Sequence, residues 1–537
     1  MVVKNINLFS FDHFFSRFFV YSCKKKHIHM PFNAIFGWII KKRIHQIDLF
    51  RKHPVEVQKE WLERLVADGC NTIYGQKHNF NEIQNYSDFV KNVPLKDYDD
   101  VKVWVERAVQ GEENVLWPGD TKWFAKSSGT TSDRSKFIPV TKDSLEECHY
   151  KGGKDLLAIY YSHFPSTKLY RGKHLVVGGT AEQNTLRPDS YTGDLSSIIL
   201  KNLPWWVEIK RIPSRETALM SEWEEKIEKL AEETMNEDVS SISGVPSWTL
   251  VLLNRILEKK GKSDIREVWP NLELFMHGGV SFKPYEKEFK KIIPHEDMHY
   301  IESYNASEGF FGIQDEINGD LLLMLDYGIY FEFIPMSEYK GTQSEKVFGL
   351  QDVELGENYA MVITTNGGLW RYIIGDTIRF TSIKPYRFVV SGRTKHYINV
   401  FGEELIVDNS DNAIKAACEQ TNSLLKDYTA CPIYMENGKQ GGHEWIIEFS
   451  KEPEDMDVFS KILDTNLREL NSDYDAKRTK DLSLNFPLIH KARPNLFDDW
   501  LKSNNKLGGQ HKVPRLSNDR KIVEQILSLK SSTVIDI

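Results

Sequence analysis

The sequence predicts an α/β fold with a large N-terminal part and a smaller C-terminal part. Helical and extended apolar patterns alternate along the chain, and a new segment opens after a strand-rich block near residues 390–400. The length of 537 residues fits two or three folding units. With 40% hydrophobic and 27% charged residues, the composition is globular and excludes a wholly disordered chain or a multi-span membrane protein.

The predicted helices are segments in which apolar residues recur at helical spacing, with Gly69 as a stop signal after the second. They are Ile35–Ile44, Val55–Asp68, Glu222–Glu237, Ser247–Lys260, Asn412–Gln420 and Asp457–Leu470. Short apolar runs predict the strands. These are Phe137–Val140, His174–Val177, Leu272–Met276, Leu321–Leu325, Ile329–Ile334, Tyr359–Thr364, Trp445–Phe449 and Leu484–Ile489.

The first 29 residues are rich in phenylalanine and end in a basic cluster. Asp12 and Arg17 interrupt the apolar stretch, and no small-residue cleavage site follows, so a signal peptide is not favoured. We interpret residues 1–29 as a disordered leader or a mis-annotated start, with translation beginning at Met30. A membrane-surface amphipathic helix is the alternative interpretation.

Charge and cysteine usage narrow the class of protein further. The formal net charge of −8 argues against a dedicated nucleic-acid binder, whose surface would be strongly basic. The five cysteines are scattered, without CxxC spacing, which predicts reduced thiols in a cytoplasmic protein. His277, His295 and His299 are too loosely spaced to indicate a metal site.

The strongest local signal is the segment Ser127–Lys136, in which small and hydroxylated residues precede an apolar run. Such a loop brings hydroxyl groups and backbone N–H groups to one anion, and Lys136 adds positive charge. The Walker A pattern is absent from it. An ordinary turn between strands would fit the composition equally well.

Two further segments carry candidate ligands for a nucleotide. Tyr304–Gly312 offers an aromatic ring that can stack on a base and, at Glu308, a hard oxygen ligand for Mg²⁺. Trp370–Asp376 places a carboxylate after a glycine, where it can accept hydrogen bonds from ribose. Each segment alone also fits a structural role: a buried tyrosine beside an exposed glutamate, or a type I turn.

Taken together and in this order, the three segments resemble the adenylate-forming superfamily, and within it the acyl acid–amido synthetases first known as auxin-responsive proteins of plants. Ser127–Thr131 with Lys136 match the phosphate loop S-S-G-T-[ST] with its downstream lysine, and Tyr304, Ser307 and Glu308 match Y-x-x-S-E. In the motif Y-R-x-G-D, this chain has Ile373 at the arginine position but keeps Asp376.

The resemblance continues through the C-terminal part. Gly392–Lys395 and Asn399–Leu405 look like the hinge and first strands of a mobile domain, and Gln510–Arg515 looks like the K-x-P-R segment. The resemblance implies a large ATP- and acyl-binding domain at 30–391 with mixed sheets, helices and a β-barrel-like subdomain. A hinge at 392–399 and a small mobile α+β domain at 400–537 would follow.

The activity implied by the resemblance is ATP- and Mg²⁺-dependent conversion of a carboxylic acid to an acyl-adenylate, followed by transfer to an amine, with an amino acid as the expected acceptor. No nucleic acid and no stable membrane insertion are expected. An acyl-CoA ligase, or a non-catalytic nucleotide-binding relative, are the alternatives.

The resemblance also assigns the residues. Ser127, Ser128, Gly129, Thr130, Thr131 and Lys136 would contact phosphates; Gly279, Tyr304 and Ser307 the base; Glu308 the Mg²⁺; Asp376 and Arg393 the ribose; and Lys512 would act in one half-reaction. Gly244–Trp248 is a candidate for part of the acid pocket.

Overall fold

A computed structural model describes most of the chain after residue 31. The described residues are 32–127, 136–179, 181–184, 187–203, 205–220, 222–279, 282, 285–394, 397–403, 405–436, 439–479, 484–504, 513–529 and 535–536. The predicted leader, residues 128–135 of the phosphate loop (including Ser128, Gly129, Thr130 and Thr131) and Lys512 lie outside them.

The described part of the chain opens with helices, as predicted for Ile35–Ile44 and Val55–Asp68. These helices are Phe32–Lys52 (α1), Pro54–Gly69 (α2), Ile73–Lys77 (α3), Tyr86–Asn92 (α4) and Tyr98–Val109 (α5). The second ends at Gly69, where a Cβ atom would lie 2.5 Å from the Trp370 ring. A capping box between Asp97 and Asp100 starts α5 by satisfying two free backbone N–H groups.

The remaining α-helices cover both parts of the chain. They are Lys142–Ser144 (α6), Tyr150–His163 (α7), Leu195–Lys201 (α8), Trp205–Glu208 (α9), Arg215–Ala218 (α10), Trp223–Thr234 (α11), Pro246–Lys260 (α12), Glu286–Ile292 (α13), Val407–Gln420 (α14), Met456–Leu470 (α15), Ser472–Arg478 (α16), Leu496–Ser503 (α17) and Lys521–Leu527 (α18). A π-helical turn, Leu145–His149, joins α6 to α7. Short 3₁₀ turns span Phe80–Glu82, Ile265–Glu267, Met336–Glu338 and Leu350–Asp352.

Among the described residues, fifteen strands belong to the large N-terminal part. They are Trp123–Ser127 (β1), Lys136–Val140 (β2), Lys173–Val176 (β3), Ala181–Gln183 (β4), Tyr191–Gly193 (β5), Arg211–Ile212 (β6), Val239–Gly244 (β7), Leu274–Gly278 (β8), His299–Ala306 (β9), Gly309–Gln314 (β10), Leu321–Leu323 (β11), Ile329–Pro335 (β12), Asn358–Thr365 (β13), Tyr372–Ile383 (β14) and Tyr386–Arg393 (β15). Six more follow in the C-terminal part: Tyr397–Ile398 (β16), Leu405–Ile406 (β17), Leu424–Ile433 (β18), Gly442–Lys451 (β19), Leu488–Lys491 (β20) and Ile535–Asp536 (β21).

One eleven-stranded sheet organises the large domain, in the order β12-β13-β14-β15-β11-β10-β9-β8-β7-β3-β6. From β6 to β9 the neighbours are parallel, and from β9 to β12 they are antiparallel. The β-barrel-like subdomain stays a prediction. A second sheet, β2-β1-β5-β4, carries the two strands that flank the phosphate loop.

The C-terminal domain is built on the sheet β18-β19-β20-β21, with helices packed against it. It shares a hydrophobic core with α12, α13 and β8 of the large domain. The segment after the predicted hinge touches the large domain directly, because the Tyr285 hydroxyl donates to the Val400 carbonyl at 2.6 Å. The α/β architecture with a separate C-terminal domain is therefore confirmed, while the boundaries at 391 and 399 stay predictions.

Most predicted elements are present with small shifts of their ends. The prediction Ser247–Lys260 is one residue shorter than α12, which has Pro246 in its first turn and ends before Gly261 (φ +62°). The prediction Leu272–Met276 starts two residues early, since β8 is Leu274–Gly278. Only the last two residues of the predicted strand Leu484–Ile489 lie in β20. Leu484 instead makes an isolated bridge to Gly441.

Two other features bear on the protein class. Across the described ranges, no helix is long and apolar enough to cross a bilayer. Within the same ranges the cysteines are free thiols: Cys70, Cys148, Cys418 and Cys431.

A buried ion pair joins Arg371, the residue before β14, to Glu332 of β12. Arg371 and Glu332 are 3% and 1% exposed, and the guanidinium reaches both carboxylate oxygens at 2.9 Å. The same guanidinium donates to the Val93 carbonyl at 3.0 Å. Removing one member of such a pair leaves the other charge buried without compensation.

We therefore expect Arg371→Ala to lower the free energy of unfolding by about 3 kcal/mol or more, because Glu332 is then left buried without its partner. Thermal unfolding measures this as a lower midpoint. Arg379→Ala is the control, since Arg379 is exposed on the same strand. Equal midpoints for the two variants would contradict the assigned role of the pair.

A second prediction concerns His277, which is buried at the end of β8 and stacks on Phe282 with ring centroids 4.3 Å apart. Its Nδ1 atom has no hydrogen-bond partner among the described residues, and burial lowers its pKa to about 3. Because the unfolded imidazole titrates near 6.5, acidification favours the unfolded chain, and this one group destabilises the fold by about 2 kcal/mol at pH 5.

His277→Phe should preserve the ring stacking and reduce the fall in thermal midpoint between pH 7.5 and pH 5. The matched control is His53→Gln, because His53 is an exposed histidine and should leave that difference unchanged. An undiminished acid loss in His277→Phe would contradict the prediction.

Candidate active site

The candidate site begins where the parallel strands of the large sheet end. The carboxyl ends of β7 and β8 lie at one edge beside Ser303 of β9, since Gly244 pairs with His277 and Gly278 with Ser303. A Cβ atom on Gly278 would lie 2.3 Å from the Ser303 carbonyl oxygen, so only glycine fits there. Gly279 follows with φ +81°, a conformation that glycine adopts without strain. This edge is the usual ligand position in open α/β sheets.

The predicted adenine motif forms the tip of a β-hairpin at this edge. Ser307 and Glu308 are the two turn residues between β9 and β10, and Ala306 pairs with Gly309 beneath them. A two-residue turn leaves little freedom, so the position of Glu308 follows from the register of the two strands. Tyr304 lies on β9, two rungs below the turn, with its ring against Phe311.

Asp376 joins the adenine motif to the predicted ribose motif. It lies within β14 directly opposite Arg393 of β15, and the Arg393 Nε atom donates to one carboxylate oxygen at 2.7 Å. The Tyr304 hydroxyl donates to the other oxygen. Burial and the Asp376 charge raise the pKa of Tyr304 well above its usual value, so the phenol stays a hydrogen-bond donor. Three predicted site residues are therefore in direct contact.

The charges around Glu308 bring the phosphate motif to the same place. Burial raises the pKa of Glu308 to about 7; the Lys136 and Arg393 charges oppose this rise, and the Asp376 charge adds to it. Such effects require these groups to lie within electrostatic reach of one another. Members of all three predicted motifs thus surround one half-buried carboxyl group.

Ser127 and Lys136 close the base of the phosphate loop. They pair directly across the antiparallel strands β1 and β2. The Lys136 ammonium lies 5.6 Å from the centre of the Tyr98 ring, and the Tyr98 hydroxyl accepts the Phe137 N–H at 2.7 Å. Helix α5 therefore positions the lysine.

The described donors and acceptors fit a nucleotide with a divalent cation. Glu308 offers a hard carboxylate oxygen whose ionisation a neighbouring cation would favour. Lys136 and Arg393 supply positive charge near Glu308. Within the described ranges, no group of three or more His, Cys, Asp or Glu side chains could hold a metal ion.

The sequence analysis missed two residues of this site. Tyr98 orders Lys136 although no motif contains it. Tyr372 is fully buried, and its hydroxyl has no partner among the described residues. Burial and the Glu308 charge raise the pKa of Tyr372 well above its usual value, which places its hydroxyl near the site. The sequence signal that could have identified Tyr372 is its place as the first residue of the motif Y-R-x-G-D.

The departure at Ile373 also has a structural explanation. Its side chain packs in a small apolar cluster with Leu95, Ile334, Ala360 and Val362, so no charged group stands at that position. The preceding Arg371 does not replace the missing arginine, because it is held by Glu332. His277, His295 and His299 each have separate neighbours, namely the Phe282 ring, the Asp264 carboxylate and the Phe164 ring.

Comparisons with solved structures agree with this fold. The structure of GH3.15 acyl acid amido synthetase superposes with a TM-score of 0.57 at 18% identity, covering 94% of this chain and 97% of that one. A 2-hydroxyisobutyryl-CoA ligase superposes with a TM-score of 0.51 at 12% identity, covering 90% and 93%.

Sequence comparisons identify the family. Indole-3-acetic acid-amido synthetase GH3.3 of Arabidopsis thaliana is 22% identical over 92% of this chain and 94% of its own length. The 4-substituted benzoates-glutamate ligase GH3.12 of the same plant is 23% identical over 87% and 94%. Models of the GH3 family N-terminal, central and C-terminal domains match residues 43–298, 322–393 and 408–521. These three matches, in order along the chain, show that it belongs to the GH3 family.

Proposed function

We propose that this chain is an ATP-dependent ligase that activates a carboxylic acid as its acyl-adenylate and transfers the acyl group to an amine, in the first instance an amino acid. The observation that carries the proposal is the contact of Tyr304 and Arg393 with Asp376, beside Glu308 and Lys136. Members of the three motifs meet there, and curated relatives named as amido synthetases and amino acid ligases support the reaction class.

The first half-reaction needs stabilisation of charge on phosphate oxygens. The substrate carboxylate attacks the α-phosphorus of ATP, the bond to the β-phosphate oxygen breaks, and pyrophosphate leaves. Lys136 and the hydroxyl and N–H donors of Ser127–Thr131 would bind the phosphates as negative charge develops. Glu308 would hold Mg²⁺, which supplies Lewis-acid stabilisation of those oxygens.

Base and sugar would be held by the second and third motifs. The Tyr304 ring would stack on adenine while its hydroxyl remains fixed by Asp376. Ser307 and Gly279 would flank the base, and Asp376 with Arg393 would bind the ribose hydroxyls. This preorganisation would place the α-phosphorus in line with the attacking carboxylate.

In the second half-reaction the amine attacks the acyl carbonyl, the new C–N bond forms, the amine loses a proton and AMP leaves. Rotation about residues 392–399 would reshape the site between the steps, with Lys512 contributing in one orientation. Gly244–Trp248 remains our candidate for part of the acid pocket; its Trp248 ring is buried, with the Lys477 ammonium of the C-terminal domain 5.1 Å from the ring centre. A cytoplasmic location and the absence of a nucleic-acid partner remain predictions.

The test of the proposal is pyrophosphate release from ATP and Mg²⁺ across a panel of carboxylic acids, followed by mass analysis with mixed amino acids. An amide product confirms the proposed acceptor. Consumption of the adenylate by CoA instead would assign the chain to acyl-CoA ligases, and no release with any acid would favour a non-catalytic nucleotide-binding protein.

The site assignments give a separate prediction. Lys136→Ala and Asp376→Ala should each lower adenylate formation by at least about tenfold, equivalent to roughly 1.4 kcal/mol of transition-state stabilisation. ATP–pyrophosphate exchange measures this step alone. Lys142→Ala, an exposed lysine six residues after Lys136, should leave the exchange unchanged. Near-normal exchange in both site variants would refute the assigned roles.

A further inference from the structure

The helix that follows β2 contains a π-helical turn, Leu145–His149, hereafter the π-turn. Such turns insert an extra residue into an α-helix, are rare, and occur often at functional sites. This one separates α6 from α7, within nine residues of the strand that carries Lys136. No motif in the sequence analysis included it, and the proposed mechanism does not use its side chains.

Two successive residues of the π-turn contact the hairpin that bears Glu308. His149 donates from Nδ1 to the Asn305 side-chain oxygen at 2.9 Å, and the Cys148 sulfur accepts the Phe310 backbone N–H at 3.1 Å. Asn305 and Phe310 face each other across β9 and β10, one rung below the pair that flanks the turn. The π-turn therefore holds both strands of the hairpin at the same rung.

The packing around these contacts leaves little room for movement. His149 and Cys148 are buried, and a Cβ atom on Gly152 of α7 would lie 2.5 Å from the Phe310 ring. Burial lowers the pKa of His149 to about 4, so the ring is neutral at physiological pH. A neutral imidazole has one N–H group, and the Asn305 oxygen, being an acceptor, fixes that proton on Nδ1.

We propose that His149 is a positioning residue for ATP binding: by fixing Asn305 at the base of the Ser307–Glu308 turn, it orients Tyr304 and Glu308 toward the nucleotide and its metal. This inference rests on the proposed function. Because the π-turn continues from β2, it also links the lysine of the phosphate motif to the hairpin of the adenine motif through one helical segment.

The test is the affinity for ATP in the presence of Mg²⁺, measured by calorimetry on the full chain without an acid substrate. His149→Phe keeps the ring volume and removes the donor, so the dissociation constant should rise at least about fivefold. His149→Asn restores an N–H donor near the position of Nδ1 and should recover most of the affinity. In steady-state assays, the KM for ATP should rise in His149→Phe while the KM for the acid stays unchanged.

His299→Phe is the matched control. His299 lies at the opposite end of β9, where its Nδ1 bonds the Tyr160 hydroxyl at 3.0 Å and its ring stacks on Phe164. Replacing it removes a histidine hydrogen bond from the same strand, far from the turn, and should leave the affinity for ATP unchanged. Equal losses in His149→Phe and His299→Phe would overturn the inference, because they would indicate general weakening of the strand.

Asn305→Leu keeps the test decisive if His149→Phe does not fold, since it removes the same hydrogen bond from the other side. It should raise the dissociation constant to a similar extent, and where both variants fold, the double variant should be no worse than either single one. Affinity within twofold of wild type in the folded variants would overturn the inference alone. A wild-type chain that binds no ATP would overturn the proposed function and this inference with it.

Discussion

The carboxylate of Asp376 is the interaction on which the candidate site depends. One of its oxygens accepts from Arg393 on the neighbouring strand and the other from the Tyr304 hydroxyl. Because Asp376 and Arg393 are direct partners in the register of β14 and β15, a slip of one residue would put the two side chains on opposite faces of the sheet. The Tyr304 hydroxyl of β9 connects the adenine motif to this pair.

The consequence is a group of electrostatically coupled charges around Glu308. Removing Glu308 from water disfavours its ionised form, while the charges of Lys136 and Arg393 favour that form. The net result is that burial raises the pKa of Glu308 to about 7. A cation bound at Glu308 would balance the charge of its carboxylate, and the polyphosphate of a nucleotide would bring negative charge to Lys136. The Tyr372 hydroxyl is buried, has no hydrogen-bond partner among the described residues and lies near Glu308. A buried polar group in this position calls for an explanation, and a bound nucleotide would provide one.

Sequence patterns predicted much of the framework because amphipathic periodicity reports which face of an element is buried. Helix α12 and strand β12 were predicted nearly to the residue. The prediction was less accurate for Tyr372–Asp376, where an apolar run that ends in Gly-Asp suggested a turn. In the structure these residues belong to strand β14, which continues to Ile383. Asp376 is tolerated inside a strand because Arg393 and Tyr304 compensate its buried charge, and both partners come from other strands.

The sequence by itself determined which chemical groups are present and in what order: a hydroxyl-rich loop with Lys136, a Tyr-x-x-Ser-Glu segment and Asp376. Only the tertiary structure decided which of them meet. The ion pair of Arg371 with Glu332, the placement of Lys136 by Tyr98 and the contact of His149 with Asn305 join residues 38 to 156 positions apart, and local patterns carry no information about such pairs. Burial and register, which only the folded chain defines, fix those contacts.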